Sequence, residues 1–303
     1  MKSIILLAGV ALAALAGRAA AADLPAATTP PPSPVFSWTG FYLGADVGYT
    51  WGANNGIASY GIVAIDHDPP FGAASALGAS GVVSPNFNGA FGGGQVGYNY
   101  QFSSRFVVGA EADAQGFAVQ GQENNYFLST APNLTGYSVT TISQASRNID
   151  YLATLRGRVG VAIRPEALLY VTGGLAFGRV SHTVNQTQYA NWAGDLEFPA
   201  ATEPFGFASS SFAETRVGWA AGAGVEWAFR GNWSAKVEYL YYDLGRVRSL
   251  GALGFDSRAI RDPDPGGSGL VAVDSTSRFN GHILRAGLNY RFEIFRPPVV
   301  AAY

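Results

Sequence analysis

The charged residues of this chain recur at a spacing of two: Glu111 with Asp113, Arg156 with Arg158, Lys236 with Glu238. Asp46, Arg216, Glu226 and Arg285 stand singly in similar surroundings. In an extended chain that spacing puts both members of a pair on one face. Carboxylates so placed can act as acid and base or hold a cation. Here five acids stand with five bases, which favours a buried network of ion pairs, with a gated ion path as the other use of the set.

Other chemistry-bearing patterns are weaker. The stretch "GGGQVG", Gly92 to Gly97, fits a dinucleotide fingerprint by letter, but such a site needs a helix after it and a second strand follows here. His67, His182 and His282 have no metal-ligand spacing, and no G-x-S-x-G elbow occurs, so no metal or cofactor is expected. Ser181 beside His182 is a serine next to a base without a positioned acid, and reads as a polar rim. Asp256, Asp262, Asp264 and Asp274 lie among glycines and prolines in a spacing that matches no EF-hand, which favours a solvated loop over a calcium site.

What must position the charges is an alternating strand. "FYLGADVGYTW", Phe41 to Trp51, places Phe, Leu, Ala, Val, Tyr and Trp at every odd position, and Tyr42, Gly44, Asp46, Gly48 and Thr50 between them. Seven further runs behave alike: 89–102, 106–115, 149–161, 168–180, 216–227, 233–241 and 284–292. In the fifth, Leu169, Val171, Leu175 and Phe177 are taken as the outer set. Each run is long enough to cross a bilayer as a tilted strand. Short turns near 103–105, 164–167 and 230–232 alternate with long connections at 53–88, 121–148, 181–213 and 246–277, the habit of outer-membrane barrels, whose long connections face outward. The expected fold is therefore an all-β, eight-stranded antiparallel up-and-down transmembrane barrel.

Aromatic placement is a second sign. Trp38, Phe41, Tyr100, Phe102, Phe106, Trp227, Trp233, Tyr290 and Phe292 fall at strand ends beside short turns or termini, with Trp51 at an opposite end, where interfacial girdles belong. A lipid face cannot carry charge cheaply, so Asp46, Arg156, Arg158, Arg216, Lys236, Arg285 and their partners are expected inside. The long connections hold further aromatics, among them Tyr60, Phe71, Phe205, Phe207, Phe212 and Phe255, which either contact ligands or pack the loops together.

Composition agrees. Only 13% of the 303 residues are charged, the formal net charge is −2 and cysteine is absent, which excludes thiolate chemistry, disulfides and a basic nucleic-acid surface. The opening "MKSIILLAGVALAALAGRAAAADLP" has the form of a cleaved secretory signal over 1–21, followed by a proline-rich periplasmic linker over 22–37. The barrel is placed at 38–292 and a C-terminal tail at 293–303.

Three stretches carry a family resemblance: "FSWTGFYLGADVGYTWG" at Phe36 to Gly52, "KVEYLYYDLG" at Lys236 to Gly245 and "HILRAGLNYRF" at His282 to Phe292. They resemble the small porin-like outer-membrane barrel proteins of alphaproteobacteria, within the opacity-type surface-antigen superfamily. The resemblance implies a structural outer-membrane protein that supports envelope integrity and presents surface loops, with weak porin activity as a further expectation, lipid and lipopolysaccharide as surroundings and the barrel-assembly machinery as partner during insertion. A monomer is expected. A specific pore, a surface receptor or adhesin of the hemin-binding kind, and a lipid A-modifying enzyme are the alternatives. Members finish near the aromatic that closes the last strand. Here Phe292 holds that place and "EIFRPPVVAAY" follows, so either Tyr303 substitutes or the strand is recognised internally.

Overall fold

The computed structural model describes residues 36–67, 69–117, 125–132, 137–192, 204–256 and 267–292. The signal segment, the linker up to residue 35 and the tail lie outside the described residues, as do Asp262 and Asp264. The elements are β1 (Gly40–Gly52), β2 (Ile57–Asp66), α1 (Pro69–Gly78), β3 (Gly81–Val83), β4 (Asn88–Gln101), β5 (Phe106–Phe117), β6 (Asn125–Pro132), β7 (Tyr137–Arg164), β8 (Ala167–Trp192), β9 (Gly206–Arg230), β10 (Trp233–Asp256) and β11 (Ser268–Phe292).

Eight of these strands form a ring in the order β1, β4, β5, β7, β8, β9, β10, β11, and pairing of β1 with β11 closes it from Phe41 against Phe292 to Gly52 against Gly281. Every pairing around the ring is antiparallel. Closure leaves no edge in hydrocarbon, which is why a backbone of this kind can span a membrane. The outward residues are Leu, Val, Phe, Tyr and Trp, and they are exposed: Leu43, Val96, Leu169, Val171, Val225 and Val237 all point away from the lumen.

The long connections are where sequence and structure part. They are built mostly as strand: β7 through β11 run on past the apolar band, and β2 adds to β11 while β6 adds to β7. Outside lipid the outer face need not be apolar, so stretches such as "TTISQAS" in β7 lose the greasy alternation yet keep the ladder with β8 from Tyr137 to Arg147. Helix α1 packs on this extension, with Phe71 edge-on to Phe205 at 4.8 Å and tilted against Phe255 at 5.5 Å. The loop aromatics thus divide: Phe71, Phe205 and Phe255 are buried packing, while Tyr60 and Phe207 are exposed.

Side chains fill the lumen in successive layers. Nearest the short turns lie Trp38, Val107, Ala162, Leu168, Tyr170 and Ala228. The charged residues form the next layer. Above them Phe91, Leu152, Leu240, Tyr242, Phe279 and Ile283 belong to one apolar cluster, and Phe71, Val139, Leu253 and Val271 to another in the extension.

Val237 lies midway between Trp233 and Tyr241 on the outer face of β10, and is more than half exposed. Val237→Arg is expected to lower stability in lipid vesicles by about 2–4 kcal/mol, read from reversible denaturant unfolding. A loss under about 0.5 kcal/mol, the usual size for a water-facing surface change, would contradict a lipid-facing position.

Candidate functional site

Register brings the charges together before any side chain is considered. Glu111 of β5 stands opposite Arg156 of β7, Glu238 of β10 opposite Arg285 of β11, and Lys236 opposite Glu226 of β9. All of these side chains point inward and are buried, as are Asp46, Asp113 and Arg158. Glycine at Gly93 and Gly287, the neighbours of Asp46 on either side, leaves the lumen open to that carboxylate.

Arg156 and Arg285 are the two hubs among the bases. Arg156 Nη2 lies 2.6 Å from Glu111 Oε1 and 2.6 Å from Asp113 Oδ2, and its Nη1 lies 3.2 Å from Glu238 Oε1. Arg285 donates from Nε to Glu238 at 2.6 Å, and its other nitrogens approach Asp46 at 3.3 Å, Glu111 at 3.1 Å and Asp113 at 3.2 Å. Lys236 Nζ lies 3.0 Å from both oxygens of Glu111. Arg158 donates to Glu226 at 2.8 Å and lies over the Tyr170 ring at 3.9 Å, a cation–π contact.

Several of these bonds cross the lumen. In the ring β5 and β10 are four strands apart in either direction, so the Glu111 to Lys236 pair joins diametrically opposite walls. A 3.0 Å contact thus bridges opposite walls through side chains that are almost wholly buried, consistent with the capacity of an eight-stranded barrel. Chemically the arrangement is a fastener. Each of these carboxylates is held by guanidinium or ammonium donors.

The neutral partners were not singled out from sequence. Tyr42 donates to Glu111 at 2.7 Å and accepts from Arg158 at 3.1 Å. Thr154 donates to Asp113 at 2.7 Å and accepts from Arg156 Nε at 2.8 Å. Ser234 and Asn289 hold Glu226 at 2.6 and 2.8 Å. The signal was parity alone, since each shares the inward phase of a charged neighbour.

A further buried cation, Arg147, was missed for a different reason. The β7–β8 ladder shifts register between Ile149 and Tyr151, so Asp150 bulges outward to pair with Arg179 at 3.2 Å and odd-numbered residues below 150 turn inward. Arg147 donates to the Asn54 carbonyl at 2.6 Å and sits over the Phe279 ring at 4.4 Å. His182 is buried in the same extension, outside the apolar band, where desolvation and Arg147 push its imidazole down to about 4. It hydrogen-bonds Ser249 at 2.7 Å, while Ser181 points the other way, so the adjacent serine and histidine form no pair.

Two expected placements are corrected. Arg216 stands apart from the ionic layer: it is half-buried near the middle of β9, beyond Trp219, and donates to the Arg246 carbonyl at 3.3 Å, because the neighbouring ladder has opened there. Trp38 is outside the girdle: the chain before β1 folds under the barrel, its backbone N–H bonds Gln101, and the buried indole donates to the Pro165 carbonyl at 3.1 Å. Phe41, Trp51, Tyr100, Phe102, Phe106, Trp227, Trp233, Tyr290 and Phe292 lie on the outer wall, with Tyr290 half-buried against Trp233. The glycines of "GGGQVG" lie inside β4, which leads to β5, so no phosphate cradle forms. Of the acids once weighed as a calcium set, Asp274 is paired with Arg248.

Glu111→Gln would strand parts of Arg156, Arg285 and Lys236 together. It is expected to cost about 3–5 kcal/mol in vesicle unfolding. Lys236→Met leaves Glu111 held by arginines and should cost clearly less. Equal, small losses would contradict the hub geometry.

The chain matches the outer membrane protein beta-barrel domain family over residues 6–292. It is 32% identical over 303 residues to the 31 kDa outer-membrane immunogenic protein of Brucella melitensis, covering 96% of this chain and 100% of that one. Among solved structures, the outer membrane protein OprG from Pseudomonas aeruginosa aligns with a TM-score of 0.37 at 9% identity, over 86% of this chain and all of that one. The attachment invasion locus protein Ail of Yersinia pestis aligns with a TM-score of 0.29 at 12% identity, over 83% and 99%. A closed ring of eight lipid-faced strands, a family match over nearly the whole chain and a relative aligned from end to end agree: the chain belongs to the outer membrane protein beta-barrel family and resides in the outer membrane.

Proposed function

We propose that this protein is a non-conducting, non-enzymatic structural barrel that fastens into the outer membrane and carries a stiff sheet extension as its exposed surface. The observation that carries the reading is the Lys236 to Glu111 pair, 3.0 Å long, between opposite walls. The layers on either side support it, since each would have to clear before a solute passed. Ion pairs held in a low dielectric on rigid strands open at a cost of several kcal/mol, too high for spontaneous gating. The immunogenic naming of the Brucella relative supports surface presentation by the extension.

A surface-receptor role is the second reading. One observation favours it: Tyr60, Ile62, Ile65, Phe207 and Leu250 are exposed on neighbouring strands of the extension, above the membrane, where no lipid covers them. Exposed apolar patches of this kind mark interaction surfaces.

Refolded protein in a planar bilayer is expected to stay silent under applied voltage. An Arg156→Ala/Arg158→Ala variant that still folds should begin to show steps. Reproducible steps from the unaltered protein would overturn the structural reading in favour of a pore.

A further inference from the structure

The barrel wall carries a seam. Pairing of β9 with β10 runs up from the short turn to Trp219 against Asp243, stops, and resumes only at Phe207 against Gly254. The ladders on either side, β8 with β9 and β10 with β11, continue through the same height. The gap begins just above Trp219 and Tyr241, whose rings stand 5.4 Å apart on the outer wall as part of the outer aromatic rim. That is the level at which hydrocarbon gives way to headgroups.

At the gap Gly245 takes a φ of 85°, a left-handed conformation that turns β10 out of register and swings Arg246 onto the outer surface. An open groove of about 410 Å³ results. Val217 and Trp219 form its apolar wall, Arg246 and Arg278 its basic wall, and Gly218 with Asp243 its floor. A side chain at Gly218 would collide with the Asp243 carbonyl, so glycine keeps the floor low. Leu244, Val247 and Phe212 pack into the apolar cluster of the lumen behind it. The groove is therefore a surface feature and leads nowhere inside.

The charge is one-sided. Asp243 is the one acid lining the groove; it accepts from Arg278 Nε at 3.1 Å and from the Gly245 N–H at 2.8 Å. Arg246 forms no ion pair among the described residues, and Arg216 reaches the seam from behind to bond its carbonyl. Three arginines thus stand at the seam beside a single carboxylate, and of them Arg278 is the one that pairs with it among the described residues. Guanidinium forks match phosphate oxygens in pairs, and an apolar shelf beside them matches acyl chain.

We propose that this groove binds the phosphate of an outer-leaflet glycolipid, lipopolysaccharide, with Arg246 and Arg278 on the phosphate and Val217 and Trp219 against the acyl chains. The groove's level selects the outer leaflet, and its apolar wall distinguishes an amphiphile from free phosphate. The site lies on the outer wall and does not depend on whether the lumen conducts.

The test uses full-length mature protein refolded into phosphatidylcholine vesicles containing either phosphorylated lipopolysaccharide or the same material dephosphorylated. The readout is lipopolysaccharide retained per protein after detergent extraction. Arg246→Gln should lower retention of the phosphorylated form by about tenfold, as expected for one lost charge-assisted contact. Dephosphorylation should lower retention by the unaltered protein further, because it removes the Arg278 contact as well, and should cost Arg246→Gln less than it costs the unaltered protein. Because Arg246 has no ion pair to lose, this variant decides the matter even if Arg278→Gln, which strands Asp243, fails to fold. Equal retention of both lipids, or unchanged retention by Arg246→Gln, would overturn the proposal. So would displacement by millimolar inorganic phosphate, which marks a free-phosphate site, or by phosphatidylglycerol vesicles at equal phosphate, which removes the preference for the glycolipid.

Discussion

The structure depends on the closure of a ring. In hydrocarbon each backbone N–H and C=O must find a partner within the protein, and β1 meeting β11 satisfies that demand for all eight strands. Eight strands fix the diameter. An interior that narrow lets Lys236 on one wall touch Glu111 on the opposite one, so charge that would line the channel of a wider barrel here becomes cross-bracing. The apolar outer face, the small inward glycines and the ionic layer all follow from that geometry.

The same constraint explains where the ring is allowed to fail. Within the apolar band the ladders are continuous. Irregularities come outside it: beside the short turns, at Ala162 to Arg164 and at Trp233 to Ser234, and at or above the outer rim, where the Asp150 bulge in β7, the shift near Asp243 in β10 and the unpaired stretch between β9 and β10 fall. Above that level water and headgroups can satisfy a loose backbone group, and departures from regularity there cost little. These are also the places where unusual side chains emerge, Arg147 inward and Arg246 outward.

How much of this was legible in the sequence follows from the same physics. Inside the membrane the two faces of a strand meet opposite solvents, so period two was strong and the ring, its strand count and nine of the inward charges could be read from it. Arg216 could not, because an opened ladder cannot be seen in a single strand. Arg147 was hidden by a one-residue bulge that reverses parity. Trp38 looked like a girdle residue because it precedes a strand, and only the chain folding back under the barrel made it a plug. The strand extensions read as loops because, beyond lipid, both faces may be polar and the pattern fades while the hydrogen bonds persist.

The central claim is that the lumen is sealed at its ionic layer, and an absent residue type makes it directly measurable. The chain has no cysteine, so a single Thr172→Cys variant carries one thiol, beside Arg156 in that layer. A charged, membrane-impermeant thiol reagent should leave it unmodified in the folded barrel and label it fully after unfolding. Labelling in the folded barrel as fast as a cysteine at exposed Leu250 would mean that water and ions reach the layer, and the account of a cross-braced plug would be wrong.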